Sequence, residues 1–242
     1  MDRFSRARVA VVGIGGVGTW AVEALARSGI GALTLVDLDD ICLSNVNRQL
    51  HALDGQIGRP KTAAMAERAA AIHPDCEITE VRAFLNENNA GEILGADLDA
   101  VIDAIDHVGH KSLLLATCRR MGIPVVCCGG AGGRRDPTRL RIDDLARTFG
   151  DPLLLAVRKT LRTRHGFPKA DTAKNPPPFG ISAVFSDEHP APLQCDAENP
   201  EDPAIRSPRL DCRSGYGTAA SVTGSFGLAA AGRVLDILAA GA

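Results

Sequence analysis

The run RVAVVGIGGVG, residues 8–18, joins five residues of strand character to a G-x-G-x-x-G turn made by Gly13, Gly15 and Gly18, with Gly16 inside it. β-branched residues without polar alternation suit a strand covered on both faces. Glycines at this spacing let the chain turn tightly and bring backbone donors against phosphate at a helix N-terminus. A helical pattern follows over Val17 to Ser28, and Asp37 closes the next apolar run. A carboxylate about twenty residues past the glycines accepts from a ribose hydroxyl in folds of this kind. Thr19 follows Gly18 where a P-loop requires lysine, so any triphosphate bound here takes its cations from elsewhere.

Working outward, short apolar runs alternate with Ala/Leu-rich stretches of helical period. Residues 8–12, 32–37, 76–81, 98–104 and 123–128 are expected strands, and Val17–Ser28, Pro60–Ile72, Asn88–Leu94 and Lys111–Met121 expected helices. Gly29 and Pro60 punctuate them as a helix stop and a helix start. Strand–helix alternation implies a parallel sheet with right-handed crossovers. The expected class is α/β: a Rossmann-like, doubly wound, mostly parallel sheet with a C-terminal extension packing on it. Residues 1–133 form the nucleotide-binding core and 134–242 the rest of the same domain. Within the latter, Leu153–His165 reads as a helix and the acidic, proline-rich residues 186–208 as a mobile exposed loop.

The chain has 242 residues, 45% of them apolar, and a net charge of −2, enough for one full core and too little basic excess for a globally nucleic-acid-binding surface. Residues 134–174 differ, with eleven Lys/Arg against five Asp/Glu. Arg158 and Arg162 share a helical face there and form a candidate site for a polyanion backbone. Seven scattered cysteines, with no C-x-x-C, fit a reducing cytoplasm and disfavour a structural zinc. Cys127 and Cys128 end a buried-looking strand and read as core. Residues 215–232 lack charge but are rich in small residues, which favours a buried helix over a membrane span.

The segment VDLDDICLSNVNRQLH, residues 36–51, adds what a dinucleotide turn does not need. Arg48 follows the second strand and Lys61 opens the next helix, so both approach phosphates on the glycine turn. A pyrophosphate already held by a helix N-terminus gains little from two more cations. Attack on an ATP α-phosphate builds charge on phosphorus and on departing pyrophosphate, which Arg, Lys and Mg²⁺ stabilise. Asp106, at the end of another strand on the same sheet edge, could hold Mg²⁺ or could simply cap the following helix. His51 and His107 border the same region.

GIGGVG, DLDDICLSNVNRQLHAL, GRPKTAAMAERAAAIHP and DAIDHVGHK, in this order, resemble the E1-like adenylating superfamily, and most nearly its tRNA threonylcarbamoyladenosine dehydratases. GGAGGRRDPTRLRIDDLARTFGDPL and RLDCRSGYGTAASVTGSFG carry the nearer likeness. The resemblance implies that Asp37 binds ribose with Asp39 and Asn45 nearby, that Arg48 and Lys61 hold phosphates, and that Asp106 holds magnesium. It implies a homodimer that uses ATP to activate the carboxylate of N6-threonylcarbamoyladenosine at tRNA position 37 as an acyl-adenylate. The substrate's own carbamoyl group then closes a ring, with net loss of water. A monovalent cation and a cysteine desulfurase or sulfur acceptor are further expected associates.

Similar proteins carry an arginine-containing segment before the first strand, for which Arg3 and Arg6 are weak matches. Cys212 is either a reactive thiol, as in some relatives, or a packed one. The main alternative is adenylation of the C-terminus of a ubiquitin-like sulfur carrier, whose enzymes commonly add the zinc-binding C-x-x-C pairs missing here. An NAD-dependent oxidoreductase leaves Arg48 and Lys61 unexplained, and a non-catalytic partner of a cysteine desulfurase predicts ATP binding without AMP.

Overall fold

In the computed structural model, residues 3–95, 97–169, 176–191 and 217–241 are described. Five expected strands form close to their predicted bounds: β1 (Arg8–Val12), β2 (Ala32–Val36), β3 (Glu77–Val81), β4 (Ala100–Asp103) and β5 (Val125–Cys128). Two more follow, β6 (Leu140–Asp144) and β7 (Ser182–Ser186). The sheet runs β3-β2-β1-β4-β5-β7-β6, parallel throughout except for β6 against β7. The mostly parallel, doubly wound reading holds, with one antiparallel edge strand.

The central strands are inaccessible on both sides, which is why they read as unbroken apolar runs. Helices α1 (Gly18–Arg27), α2 (Lys61–Ile72) and α6 (Ala220–Ala240) cover one face; the short α3 (Ala90–Ile93), α4 (Val108–Met121) and α5 (Pro152–Arg164) cover the other. Helix α4 begins before its expected start at Lys111, and α5 within a residue of expectation.

Helix α6 is long and apolar enough to cross a membrane, yet it packs tightly on α1. A methyl group on Gly227 would lie 2.4 Å from the Val17 carbonyl and 2.7 Å from Trp20 Cβ. The small residues of the sequence are there to let these helices approach, as expected of a buried helix.

Two sequence expectations are corrected. The acidic run starting at Ser186 suggests an exposed loop, but Ser186 is the buried last residue of β7. Asp187 is bound by Arg139 and Arg141, both at 2.6 Å, and Glu188 accepts from the Arg135 and Asp136 amides. Asp187 is therefore neutralised by two arginines and Glu188 is held by backbone donors; of the rest of the expected loop, residues 192–208 lie outside the described residues. Helical spacing suggests that Arg158 and Arg162 offer a shared basic face to a polyanion. Instead, the Arg158 guanidinium bonds the Thr148 backbone and hydroxyl, and Arg162 donates to the Pro168 carbonyl at 3.2 Å and covers the Phe179 ring at 5.1 Å. Both hold α5 to its surroundings, and the exposed cations of the segment are Lys159, Arg164 and Lys169 among others.

Candidate active site

Strands β1, β2, β4 and β5 deliver their carboxyl ends to one edge, where ligands of open α/β sheets bind. Leaving β1, Gly13 adopts φ +94° and packs on the loop after β4; a methyl group on it would lie 2.8 Å from the Ala104 carbonyl. At Gly18 a methyl group would lie 1.8 Å from the Gly13 carbonyl, so the turn admits only glycine. Among the described residues the N–H groups of Gly15, Gly16 and Val17 have no partner, which leaves three donors at the start of α1.

Asp37 is half-buried beneath the turn. Its carboxylate accepts from Ile14 N at 2.7 Å and Asp39 N at 2.9 Å, so it shapes the turn. Burial raises its pKa, and the Lys61 charge and the two backbone donors pull the other way. Lys61 is the first residue of α2, where the helix dipole disfavours a cation. It is buried, and its Nζ turns back to Asp39 Oδ2 at 2.9 Å. Carboxylates at the β2 end hold the lysine in that otherwise poor position.

Arg48 lies across the glycine turn. A methyl group on Gly16 would meet its Cγ at 3.3 Å and Cδ at 3.4 Å. Its carbonyl accepts from Trp20 Nε1 at 3.3 Å and Thr223 Oγ1 at 3.4 Å, which fastens the segment between α1 and α6. The guanidinium donates to Ser44 O and Asn47 Oδ1 at 2.8 and 2.9 Å. Asn45 is buried and its Oδ1 accepts from Cys42 N at 3.0 Å, so that oxygen builds the turn after β2. His51 is also buried, its Nε2 3.0 Å from Ile14 O. Burial, aided by Lys61, pushes the imidazole down to about 4.

Asp106 sits in the β4–α4 loop, exposed and with no hydrogen-bond or ion-pair partner among the described residues. The helix cap is its neighbour His107, whose Nδ1 accepts from His110 N at 3.4 Å. The alternative capping role for Asp106 is thus taken by another residue. Through Gly13 and Ala104 this loop abuts the glycine turn, so the edge gathers Gly13–Gly18, Asp37, Asp39, Arg48, Lys61 and Asp106. Cys212 lies outside the described residues, and Arg3 sits at the opposite edge, donating to Ala239 O at 2.8 Å.

Trp20, Thr223, Gln49 and Lys111 also border or brace the site, and no motif in the sequence marks them. Thr223 lies in a quoted stretch, but nothing local shows a bond to a residue 175 positions away. Gln49 is buried with Oε1 unpartnered, its amide 3.9 Å from a methyl position on Gly15.

The arrangement can hold a triphosphate against backbone donors and two cations, with ribose at Asp37 and a free carboxylate beside the phosphates. No group of three or more His, Cys, Asp or Glu suited to a metal occurs among the described residues. Mg²⁺ needs no such cage, since it is ordinarily held by one or two carboxylates together with substrate phosphates, and Asp106 fits that donor set.

The ThiF family profile matches residues 1–240. The tRNA threonylcarbamoyladenosine dehydratase of Haemophilus influenzae is 45% identical over 238 residues, covering 98% of this chain and 88% of that protein. The crystal structure of the E. coli tRNA N6-threonylcarbamoyladenosine dehydratase in complex with ATP superposes with a TM-score of 0.85 at 40% identity, covering 99% of this chain and 88% of that one. The E. coli molybdopterin-synthase adenylyltransferase is 37% identical over 62% of this chain and 63% of its own length.

Proposed function

Because the chain belongs to the ThiF family, we propose that it is an ATP-dependent tRNA threonylcarbamoyladenosine dehydratase, which closes a ring on N6-threonylcarbamoyladenosine at tRNA position 37. The observation that carries the site assignment is the crossing of the glycine turn by Arg48, with Lys61 facing the β2 carboxylates at the same edge. Two cations over a phosphate cradle suit nucleotidyl transfer better than hydride transfer.

In this reading ribose hydroxyls donate to Asp37, and the phosphates lie on the Gly15, Gly16 and Val17 amides. The substrate carboxylate attacks the α-phosphorus, forming the acyl-adenylate and releasing pyrophosphate. Arg48 and Lys61 take up charge on the phosphorus oxygens and the departing pyrophosphate. The carbamoyl group then attacks the acyl carbon and AMP leaves, so one water is lost from the nucleoside while ATP becomes AMP and pyrophosphate. The nucleophile belongs to the substrate, so proximity supplies much of the second step and no protein thiol is needed. Mg²⁺ on Asp106 would neutralise phosphate charge.

The proposal extends to a homodimer in the cytoplasm. Leu43, Val46, Leu53 and Ile57 are large apolar residues exposed on the segment beside the site, which supports a covered face there. A monovalent cation and a cysteine desulfurase partner rest on the resemblance alone. Sulfur-carrier adenylation is disfavoured by the lack of C-x-x-C pairs and by the shorter match to the adenylyltransferase.

The test is incubation with ATP, Mg²⁺ and tRNA bearing threonylcarbamoyladenosine, followed by digestion and mass measurement of the nucleosides. Loss of one water from that nucleoside is expected. Pyrophosphate release that requires a small protein's C-terminus and leaves the nucleoside unchanged overturns the proposal.

A further inference from the structure

The loop that presents Asp106 is held from beneath by two fully buried charges that the site does not otherwise use. Asp103 ends β4 and Lys111 lies on the first turns of α4, both with no exposed side-chain surface, and Lys111 Nζ is 3.0 Å from Asp103 Oδ2. Lys111 Nζ also donates to Ile105 O at 2.8 Å and reaches Asp103 O at 3.4 Å. Asp103 Oδ1 accepts from Ile105 N at 3.1 Å. Both backbone polar groups of the residue before Asp106 are therefore occupied by this pair.

The same loop meets the glycine turn. A methyl group on Gly13 would lie 2.8 Å from Ala104 O and 3.2 Å from Ile105 N, so any shift of Ile105 changes the spacing between the turn and Asp106. Charges withdrawn from water are a poor way to fill a core, and apolar residues of similar volume often serve as well or better. An apolar pair could fill this space, but it could not grip the Ile105 N–H and carbonyl together. Burial alone would lower the lysine pKa, and Asp103 instead holds the ammonium above its ordinary range, so the charge stays in place.

We propose that Lys111 and Asp103 are positioning residues for Asp106, fixing the β4–α4 loop so that its carboxylate meets a divalent metal carried on the triphosphate. This rests on the adenylating reading above. Partners behind metal ligands commonly change metal affinity by about 10–100-fold when removed.

The experiment compares the full chain with Asp106→Asn and with the paired variant Asp103→Asn/Lys111→Met, which removes both charges at similar volume and leaves no lone buried ion. Mn²⁺ affinity of the ATP complex is read by electron paramagnetic resonance, and the Mg²⁺ dependence of AMP formation is measured beside it. The paired variant is expected to keep its circular dichroism spectrum, to bind Mn²⁺ about tenfold or more weakly, and to recover AMP formation as Mg²⁺ is raised. A folded paired variant with Mn²⁺ affinity within about twofold overturns the inference. Should that variant fail to fold, Asp103→Asn alone, which keeps the acceptor for Ile105 N–H but loosens the grip on Lys111, is expected to shift Mn²⁺ affinity by about threefold, and no shift overturns the inference. If Asp106→Asn abolishes metal dependence and the charge-pair variants do not alter it, only the positioning role falls. If Asp106→Asn itself changes nothing, the metal-bearing reading falls with it.

Discussion

Replacing Lys61 by methionine separates the ion pair this residue makes with Asp39 from its proposed contact with phosphate. The side chain is 8% exposed and that of its partner Asp39 55% exposed, so methionine keeps the packed stem and removes the charge. An ion pair with one partner in water contributes about 0.2–1 kcal/mol. A chain of this size loses about 2–4 °C of melting temperature per kcal/mol, so the variant should melt no more than about 4 °C lower. Loss of one preorganised cation facing the charge built up in nucleotidyl transfer costs about 10²–10³ in rate, or ~2.7–4 kcal/mol. The second effect is several times the first, and the two are read separately by thermal melting and by AMP release at saturating ATP, Mg²⁺ and modified tRNA. Lys61→Arg keeps the charge and should stay within about tenfold of the unaltered protein. AMP release within about threefold in a folded Lys61→Met variant would refute the phosphate role.

Three further outcomes follow from the geometry. His51 is held neutral by burial, its pKa about 4 against an ordinary 6.5, so the unfolded chain takes up a proton that the folded one refuses. Stability is full above the ordinary value and falls as pH drops toward 4, by roughly 1.4 kcal/mol per unit and on the order of 3 kcal/mol in all; His51→Gln should flatten melting temperature against pH, and equal slopes refute this. Gly227→Ala forces a methyl group to 2.4 Å from the Val17 carbonyl, whereas Gly224→Ala meets Trp20 at an ordinary 3.4 Å. The first should destabilise by ~3 kcal/mol and the second by less than about 1 kcal/mol in thermal melts, and similar melting of the two sinks the packing account. Lys159→Ala or Arg164→Ala should each reduce the salt slope of tRNA binding by about one, and Arg158→Ala should lower melting temperature and leave that slope unchanged.

Residues 8–128 were legible because parallel strands buried on both faces carry the apolar runs that mark them, and because each proposed site residue follows the end of a strand or begins a helix. Strands β6 and β7 were not. LRIDD presents charges as an edge strand and SAVFS is short; β7 is a strand because it pairs with β5 in parallel and with β6 antiparallel, and β6 because it pairs with β7, all of them non-local facts. The acidity after Ser186 suggested solvent because Arg139 and Arg141, which neutralise Asp187, lie more than forty residues earlier. Helical spacing put Arg158 and Arg162 on one face correctly but could not say that Thr148 and Phe179 cover it. The anchoring of Arg48 by Trp20 and Thr223 had no local signal either.

The charges at the sheet edge make one more prediction, about metal removal. Asp40 is paired with Arg82 at 3.2 Å and Asp103 with Lys111 at 3.0 Å, so neither adds net charge. The other charges gathered at this edge are Arg48 and Lys61 against Asp37, Asp39 and Asp106, two positive charges less three negative, or a net −1. Such an edge repels a metal-free triphosphate, offset only by the free amides of Gly15, Gly16 and Val17. A divalent cation reverses the sign to net +1. Chelation should therefore weaken ATP binding by roughly tenfold to a hundredfold, and AMP binding, which involves less phosphate charge, by less than about tenfold, in calorimetric titrations at fixed ionic strength. Asp106→Asn removes one negative charge and, with it, the proposed protein ligand of the metal. It should tighten metal-free ATP binding and weaken metal-dependent binding, a reversal of sign that a packing defect cannot produce. If the substitution weakens binding equally with and without the metal, Asp106 acts on the fold and not on the charge of the site.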